Sequence, residues 1–265
     1  MSPLALFPHR SQTTTSKWLV KLMFTNKRYL LLFVTVFCFV LLFCTASGSS
    51  IPTAGRTYGH AEPLYHVNTK KKLIALTFDD GPHPVYTRRV LKILDKHKAK
   101  ATFFVVGERA KWYAPVIRQI HRRGHEIGNH TFTHPHMKHI TAEQLQEEIR
   151  KTDQIVHSLT GTYPRFFRPP GGEITYAVLR SSERQKHPIA IWSYHQDSRD
   201  WTHPGTAYIV SKVTSGARPG DIVLFHDSGL DQSQTIEAVD KVLTILSKQG
   251  YRFVTLSQLL HEQKK

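Results

Sequence analysis

A chain of 265 residues, 40% of them hydrophobic, is long enough for one large domain or two small ones, and it can bury a real core. Its formal charge of +16 favours acidic partners such as nucleic acid, anionic lipid or an anionic cell wall, although charge also serves solubility. No Arg-rich tract and no nucleic-acid motif accompanies the charge, so nucleic acid is set aside as a partner.

Residues 1–28 form a basic segment (Arg10, Lys17, Lys21, Lys27, Arg28) with no acid. It leads into the uncharged run "YLLLFVTVFCFVLLFC", Tyr29 to Cys44, which Thr45 and Ala46 extend. At ~1.5 Å per residue the segment 29–46 comes close to the length that spans a bilayer, and it is too apolar all round for a surface helix. Positive charge on its N-terminal side only puts the N-terminus in the cytoplasm and the bulk outside. It reads as a signal-anchor, or as a signal peptide cut near Ala46. The first predicts a membrane-attached protein with an extracytoplasmic domain, the second a secreted one. Both cysteines, Cys38 and Cys44, lie in this run, so the remainder can form neither a disulfide nor a thiolate metal site. Beyond the run, 31 basic residues face 20 acidic ones, a net charge of +11.

Residues 47–71, rich in Ser, Gly, Pro and Thr at their start, read as a linker. Structure is expected from Lys72. "KLIALTF" suits a buried strand, and Val85, Val90, Leu91, Ile93 and Leu94 are spaced as a helix face. "ATFFVVG" is a second strand, "AKWYAPVIRQIHRRG" a helical stretch closed by Gly124, and "HEIGNHT" a short third strand. Thr141 and Gln144 fit a capping box; Leu145, Ile149, Val156 and Leu159 make the stripe of the helix that follows, and Gly161 ends it. "RFFRPP", "IAIWSY", "DIVLFH" and "YRFVTL" read as further strands, with helices near 205–215 and 235–249. Apolar strands alternating with helices imply parallel pairing and right-handed crossovers. The expected architecture is α/β: a single catalytic domain after an N-terminal apolar helix, folded as a distorted (β/α)7–8 barrel, with a doubly wound sheet as the alternative.

Two features carry chemistry. "TFDDGP", Thr77 to Pro82, ends a strand on adjacent carboxylates, Asp79 and Asp80. Like charges this close need a cation, strong donors or a shared proton, unless the segment is simply a solvated turn. "GNHTFTHPHMKH" holds His130 and His134 four residues apart, with Pro135 and nearby glycine favouring a tight loop over a helix. His136 and His139 read as surface residues, or as neighbours that support the ligands, rather than as ligands themselves. Two imidazoles and one carboxylate make a facial ligand set with open positions, which leaves the second carboxylate free as a base.

With these residues in view, the chain resembles the polysaccharide deacetylase family, carbohydrate esterase family 4, whose homology domain is shared with chitooligosaccharide deacetylases. Five motifs occur in the family's order: "TFDDGP" (77–82), "HTFTH" (130–134), "RPPGG" (168–172), "DSRDW" (197–201) and "LFH" (224–226). The resemblance spans residues 72–262, taken as the deacetylase domain. It implies Asp79 as general base, and Asp80, His130 and His134 as ligands of a divalent metal, usually Zn2+ in this family. Arg168 would orient Asp79, and Asp200 would hold Arg168 or His226. His226 would be the general acid, with Trp201 and Leu224 as walls around the acetyl methyl. Gly171 stands where the family typically has an aromatic residue; it keeps the backbone N–H of an oxyanion site but removes one wall of the sugar groove. The implied activity is that of an exported, metal-dependent polysaccharide N-deacetylase hydrolysing the acetamide of N-acetylated amino sugars, in peptidoglycan of the cell wall or chitin-like oligomers. The alternatives are an O-acetyl (xylan-type) esterase and a non-catalytic carbohydrate-binding protein on the same scaffold.

Overall fold

The computed structural model describes residues 62–263. The basic segment, the apolar run and the first part of the linker lie outside the described residues. The chain engages the barrel ahead of Lys72, through a parallel bridge from Leu64 to Ala190 and an antiparallel one from His66 to Asp221. The strand Leu73–Asp79 (β1) is buried along its whole length, as a barrel strand must be when one face meets helices and the other the barrel interior. It is followed by helix α1 (Tyr86–Lys96), β2 (Ala101–Val105), the short α2 (Gly107–Trp112), α3 (Ala114–Arg122), β3 (Glu126–Asn129) and the long α4 (Ala142–Thr160). Then come α5 (Tyr176–Gln185), α6 (Thr206–Ser215), β4 (Ile222–His226), α7 (Ser233–Lys248), β5 (Arg252–Phe253) and α8 (Leu256–His261).

Every pairing between these strands is parallel, in the order β3-β2-β1-β4, with β5 against the start of β1. Single bridges carry the ring onward: Asn129 to Phe167, Phe167 to Ile189, and Asp197 back to Leu224 on β4. The expected distorted barrel is therefore present, but "RFFRPP" and "IAIWSY" contribute bridges rather than full strands.

Period-2 alternation sorts β1 into two sets. Ile74, Leu76 and Phe78 face the helix layer and join Phe103, Phe225 and the apolar stripes of α1, α3 and α7. Phe78 stacks on Phe103 at 5.0 Å and on Phe225 at 5.7 Å, a ladder across three strands. Leu73 and Ala75 face the interior with Phe104, Phe166, Ala190 and Ile222. By the same alternation Thr77 and Asp79 point into the barrel, which determines where the chemistry can sit.

Some local expectations shift. Val85 is exposed and precedes α1, so the helix face begins at Val90. The stretch from Ala110 is two helices, broken at Tyr113 with Pro115 in the first turn of α3. "YRFVTL" pairs only through Arg252 and Phe253, because Thr255 and Gln258 form a capping box that starts α8. α5 has no counterpart among the expected elements. The box of Thr141 with Gln144 and the left-handed Gly161 (φ 75°) bound α4 as expected. Losing the Thr141 cap through Thr141→Ala should cost about 1 kcal/mol, whereas Phe78→Ala should cost about 3–5 kcal/mol, both read by denaturant unfolding.

Candidate active site

The site forms at the C-terminal ends of β1, β3 and β4. A cleft of ≈ 350 Å3 is lined by Asp79, Asp80, His130, His134, Gly171, Trp192, Asp197, Trp201, Leu224 and His226. All of the site residues named from the sequence except Arg168 and Asp200 line it, and those two are buried directly behind it. A wider groove of ≈ 770 Å3 runs along α4 past His136, His139, Glu143 and Glu147. It holds no converging ligand set: among the described residues only Asp80, His130 and His134 bring three donor atoms within 4.8 Å of one another.

Asp79 ends β1 on its inner face. Arg168, wholly buried in the barrel, donates from Nη1 to Asp79 Oδ1 at 2.6 Å and to Thr77 Oγ1 at 2.8 Å. Its other nitrogens donate to the carbonyls of Ala190 (2.9 Å) and Ile191 (3.0 Å), and its guanidinium lies 4.0 Å from the centre of the Phe104 ring. One carboxylate of the acidic pair is thus held by a permanent charge.

Asp80 turns the other way. Its φ of 71° is left-handed, a conformation Asp tolerates better than most residues, and it carries the side chain out of the strand alternation. Asp80 Oδ1 then lies 3.4 Å from His130 Nε2 and 3.3 Å from His134 Nε2. Donor atoms bonded at ~2.0–2.2 Å to one tetrahedral ion would sit about 3.3–3.5 Å apart, so both carboxylate–imidazole spacings fit a shared cation such as zinc. His130 Nδ1 is engaged at 2.7 Å by the carbonyl of Arg168, which fixes the tautomer and leaves Nε2 facing Asp80, where it could hold a cation. Partial desolvation of the half-exposed His134 ring, reinforced by His130, holds its pKa down and favours the neutral imidazole. Burial would raise the Asp80 pKa, but the hydrogen bond and charge of His130 outweigh it and keep the carboxyl well below its ordinary range.

The loop that delivers the imidazoles is strained and over-determined. Thr131 (φ 69°) and His134 (φ 59°) are left-handed, which is costly for β-branched Thr131. Asn129 compensates. Its Oδ1 accepts the Thr131 N–H at 2.8 Å, while its Nδ2 donates at 2.8 Å to both Asp153 and the Ile149 carbonyl on α4. Glu148 Oε2 accepts the N–H groups of Phe132 (2.9 Å) and Thr133 (2.7 Å).

His226 ends β4 on the inner face. Asp200, buried, accepts from its Nδ1 at 2.7 Å and from its backbone N–H at 2.8 Å. Of the two roles open to Asp200, the hydrogen bonds select the one at His226. Burial pulls the His226 imidazole down, but Asp200, with Asp79 and Asp80 adding to it, pushes it up to about 9. Gly171 is left-handed at φ 65° and the space beside it is open, a Cβ there meeting only Glu173 at 3.8 Å. Gly172 instead underlies Trp192, whose ring a Cβ would strike at 2.6 Å.

Three neighbours join the site without a role read from the sequence. Trp192 and Asp197 line the cleft, and Asp197 is visible there only as the first acid of "DSRDW". Asp227, next to His226, is buried against Gly81, with Oδ1 unpartnered and Oδ2 bonded to Thr87; burial, opposed by Thr87 and reinforced by Asp80 and Asp79, raises its pKa to about 7.

A profile of the family described as polysaccharide deacetylase matches residues 66–189. A Bacillus cereus peptidoglycan-N-acetylglucosamine deacetylase is 45% identical over 196 residues, 74% of this chain and 92% of the relative. A crystal structure of a peptidoglycan N-acetylglucosamine deacetylase superposes with a TM-score of 0.71 at 34% identity, covering 76% of this chain and 94% of that one. The Clostridium thermocellum family 4 acetyl xylan esterase with a cobalt ion gives 0.67 at 37% identity, covering 72% and 91%.

Removing the buried guanidinium strands Asp79 in the barrel. Arg168→Met should therefore cost about 3–5 kcal/mol in denaturant unfolding, and Arg168→Met with Asp79→Leu should recover part of that loss.

Proposed function

Because the chain belongs to the polysaccharide deacetylase family, we propose that it is an exported enzyme that hydrolyses the acetamide of N-acetylated amino sugars in a polysaccharide, with peptidoglycan the foremost substrate. The observation that carries this reading is the division of the acidic pair: Asp79 is locked to Arg168 (2.6 Å) while Asp80 faces two imidazoles at 3.3–3.4 Å. Chitin-like oligomers share the reacting group and are the second polymer to test. Access to a wall polymer would come through export by the 29–46 segment, as a membrane-attached protein or a secreted one.

Amide hydrolysis needs an activated water, a stabilised oxyanion and a proton for the departing amine. A divalent cation held by Asp80, His130 and His134, zinc in this proposal, would polarise the acetyl carbonyl and lower the pKa of water toward ~7. Asp79, oriented by its ion pair with Arg168, takes the proton from the attacking water. The backbone N–H of Gly171 is the proposed partner for the oxyanion. His226, protonated and held by Asp200, gives its proton to the sugar nitrogen as the C–N bond breaks. Leu224 and exposed Trp201 bound the space for the acetyl methyl and the ring that bears it.

The likeness to an acetyl xylan esterase supports a second reading, O-deacetylation at the same site. Acetate release separates the two. The full chain, loaded with zinc, is expected to release acetate from peptidoglycan or N-acetylglucosamine oligomers, and Asp79→Asn to lower kcat at least about 100-fold. Release from acetylxylan alone would select the esterase. Absence of release from every polymer, with Asp79→Asn indistinguishable, would sink the catalytic reading.

The proton donor sets a pH signature. His226 is competent while protonated, so activity should be held below its pKa and lost as pH rises through it. The alkaline limb should fall at or below about 9, because a cation at Asp80 weakens the carboxylates' pull on His226. His226→Gln should lower kcat and abolish that limb in a pH–rate profile.

A further inference from the structure

The positive charge of this chain is concentrated. Between Tyr86 and Arg123 lie eleven Lys and Arg but only two acids, Asp95 and Glu108, so nine of the eleven net charges beyond the apolar run come from this one segment. In the fold it becomes α1, β2, α2 and α3, and α1 and α3 pack side by side on the outer wall of the barrel.

Arg88 and Lys92 on α1, and Arg118 and Arg122 on α3, are each spaced one turn apart and exposed. Exposed Lys111 and Lys98 lie just before α3 and just after α1. None of these six has a carboxylate within ion-pair reach among the described residues. Of the acids nearby, Asp95 is engaged by Arg123 (2.6 Å) and Asp240, from α7, by Lys96 (2.9 Å), which leaves Glu108 on α2 as the segment's other acid. The cleft, in contrast, presents Asp79, Asp80 and Asp197. A polyanion is attracted to the outer wall.

We infer that the wall formed by α1 and α3 is a docking surface for a linear phosphodiester polyanion, separate from the cleft. Charges one helical turn apart repeat every ~6 Å along each row, and packed helices put the rows ~8–10 Å apart, a strip suited to a chain. Three of the four row residues are Arg, whose fork matches phosphate oxygens, and phosphodiester charge does not titrate near neutral pH. The surface would hold the enzyme on an anionic polymer lying alongside its substrate. This inference does not depend on the deacetylase reading, because it concerns binding alone. Exposed Trp112 beside Lys111 is a feature that an anionic bilayer would also use, so vesicles form the second arm of the test.

The probe is fluorescent inorganic polyphosphate, titrated against the full chain in neutral detergent between about 50 and 200 mM salt. Replacing Arg88, Lys92, Arg118 and Arg122 together by Gln should weaken binding roughly tenfold or more at low salt and flatten the log–log salt slope by roughly 3. Removing equal charge elsewhere, with Lys70, Lys138, Lys241 and Lys248 changed to Gln, should leave the slope within about 1 of the parent. If the fourfold variant does not fold by circular dichroism, Arg88→Gln/Lys92→Gln and Arg118→Gln/Arg122→Gln should each give about half the slope change. Equal losses in the two fourfold variants, or no loss in the first, would overturn the inference. So would a first variant that loses binding only to phosphatidylglycerol vesicles and keeps its binding to polyphosphate.

Discussion

A guanidinium shut away from water must be surrounded by acceptors, and in this barrel that requirement organises the site. Arg168 has no exposed surface, and its donors are spent on Asp79, Thr77 and the carbonyls of Ala190 and Ile191. Taking the charge out of water costs several kcal/mol, which only a well-placed carboxylate and neutral acceptors can offset. Arg168 thus ties β1 to the segment at Ala190–Ile191, and through its own carbonyl it fixes His130. One side chain links Asp79, the His130 imidazole and the closing side of the barrel.

The acidic pair that looks unfavourable in the sequence resolves into two environments. Strand alternation sends Asp79 inward to a permanent cation. The left-handed backbone at Asp80 breaks the alternation and sends the next carboxylate to two imidazoles. The strain is local, and packing and hydrogen bonds around it hold it in place. Gly81 leaves no room for a Cβ above Asp227, and Val106 N–H bonds the Gly81 carbonyl at 2.9 Å. A coarser separation runs alongside it: acids gather at the strand ends that line the cleft, bases on α1 and α3.

Much of this was legible from residue types and spacing. The ordered motifs marked the cleft residues because each lies at or just beyond the end of a barrel strand or bridge, where side chains converge whatever the intervening sequence. The box at Thr141 and Gln144 was legible because capping is a local, four-residue interaction. What stayed hidden depends on distant partners. The segments at Phe167 and Ile189 look like strands but form single bridges. α5 has a weak stripe, with buried Ala177, Val178, Ser181 and Ser182 in place of large apolar residues. The second capping box, set by Thr255 with Gln258, was masked by the strand-like run before it. Whether Asp200 serves Arg168 or His226 is a question of a few ångströms that spacing cannot answer. Nor can spacing reveal that one oxygen of Asp227 is buried without a partner.

The central claim is that two adjacent carboxylates do different work, and zinc titration by calorimetry on Asp79→Asn and Asp80→Asn tests it most directly. The account predicts that Asp80→Asn loses zinc affinity at least about 10-fold while Asp79→Asn keeps it, the latter failing only in acetate release. Equal zinc affinity in the two variants, or loss confined to Asp79→Asn, would contradict it.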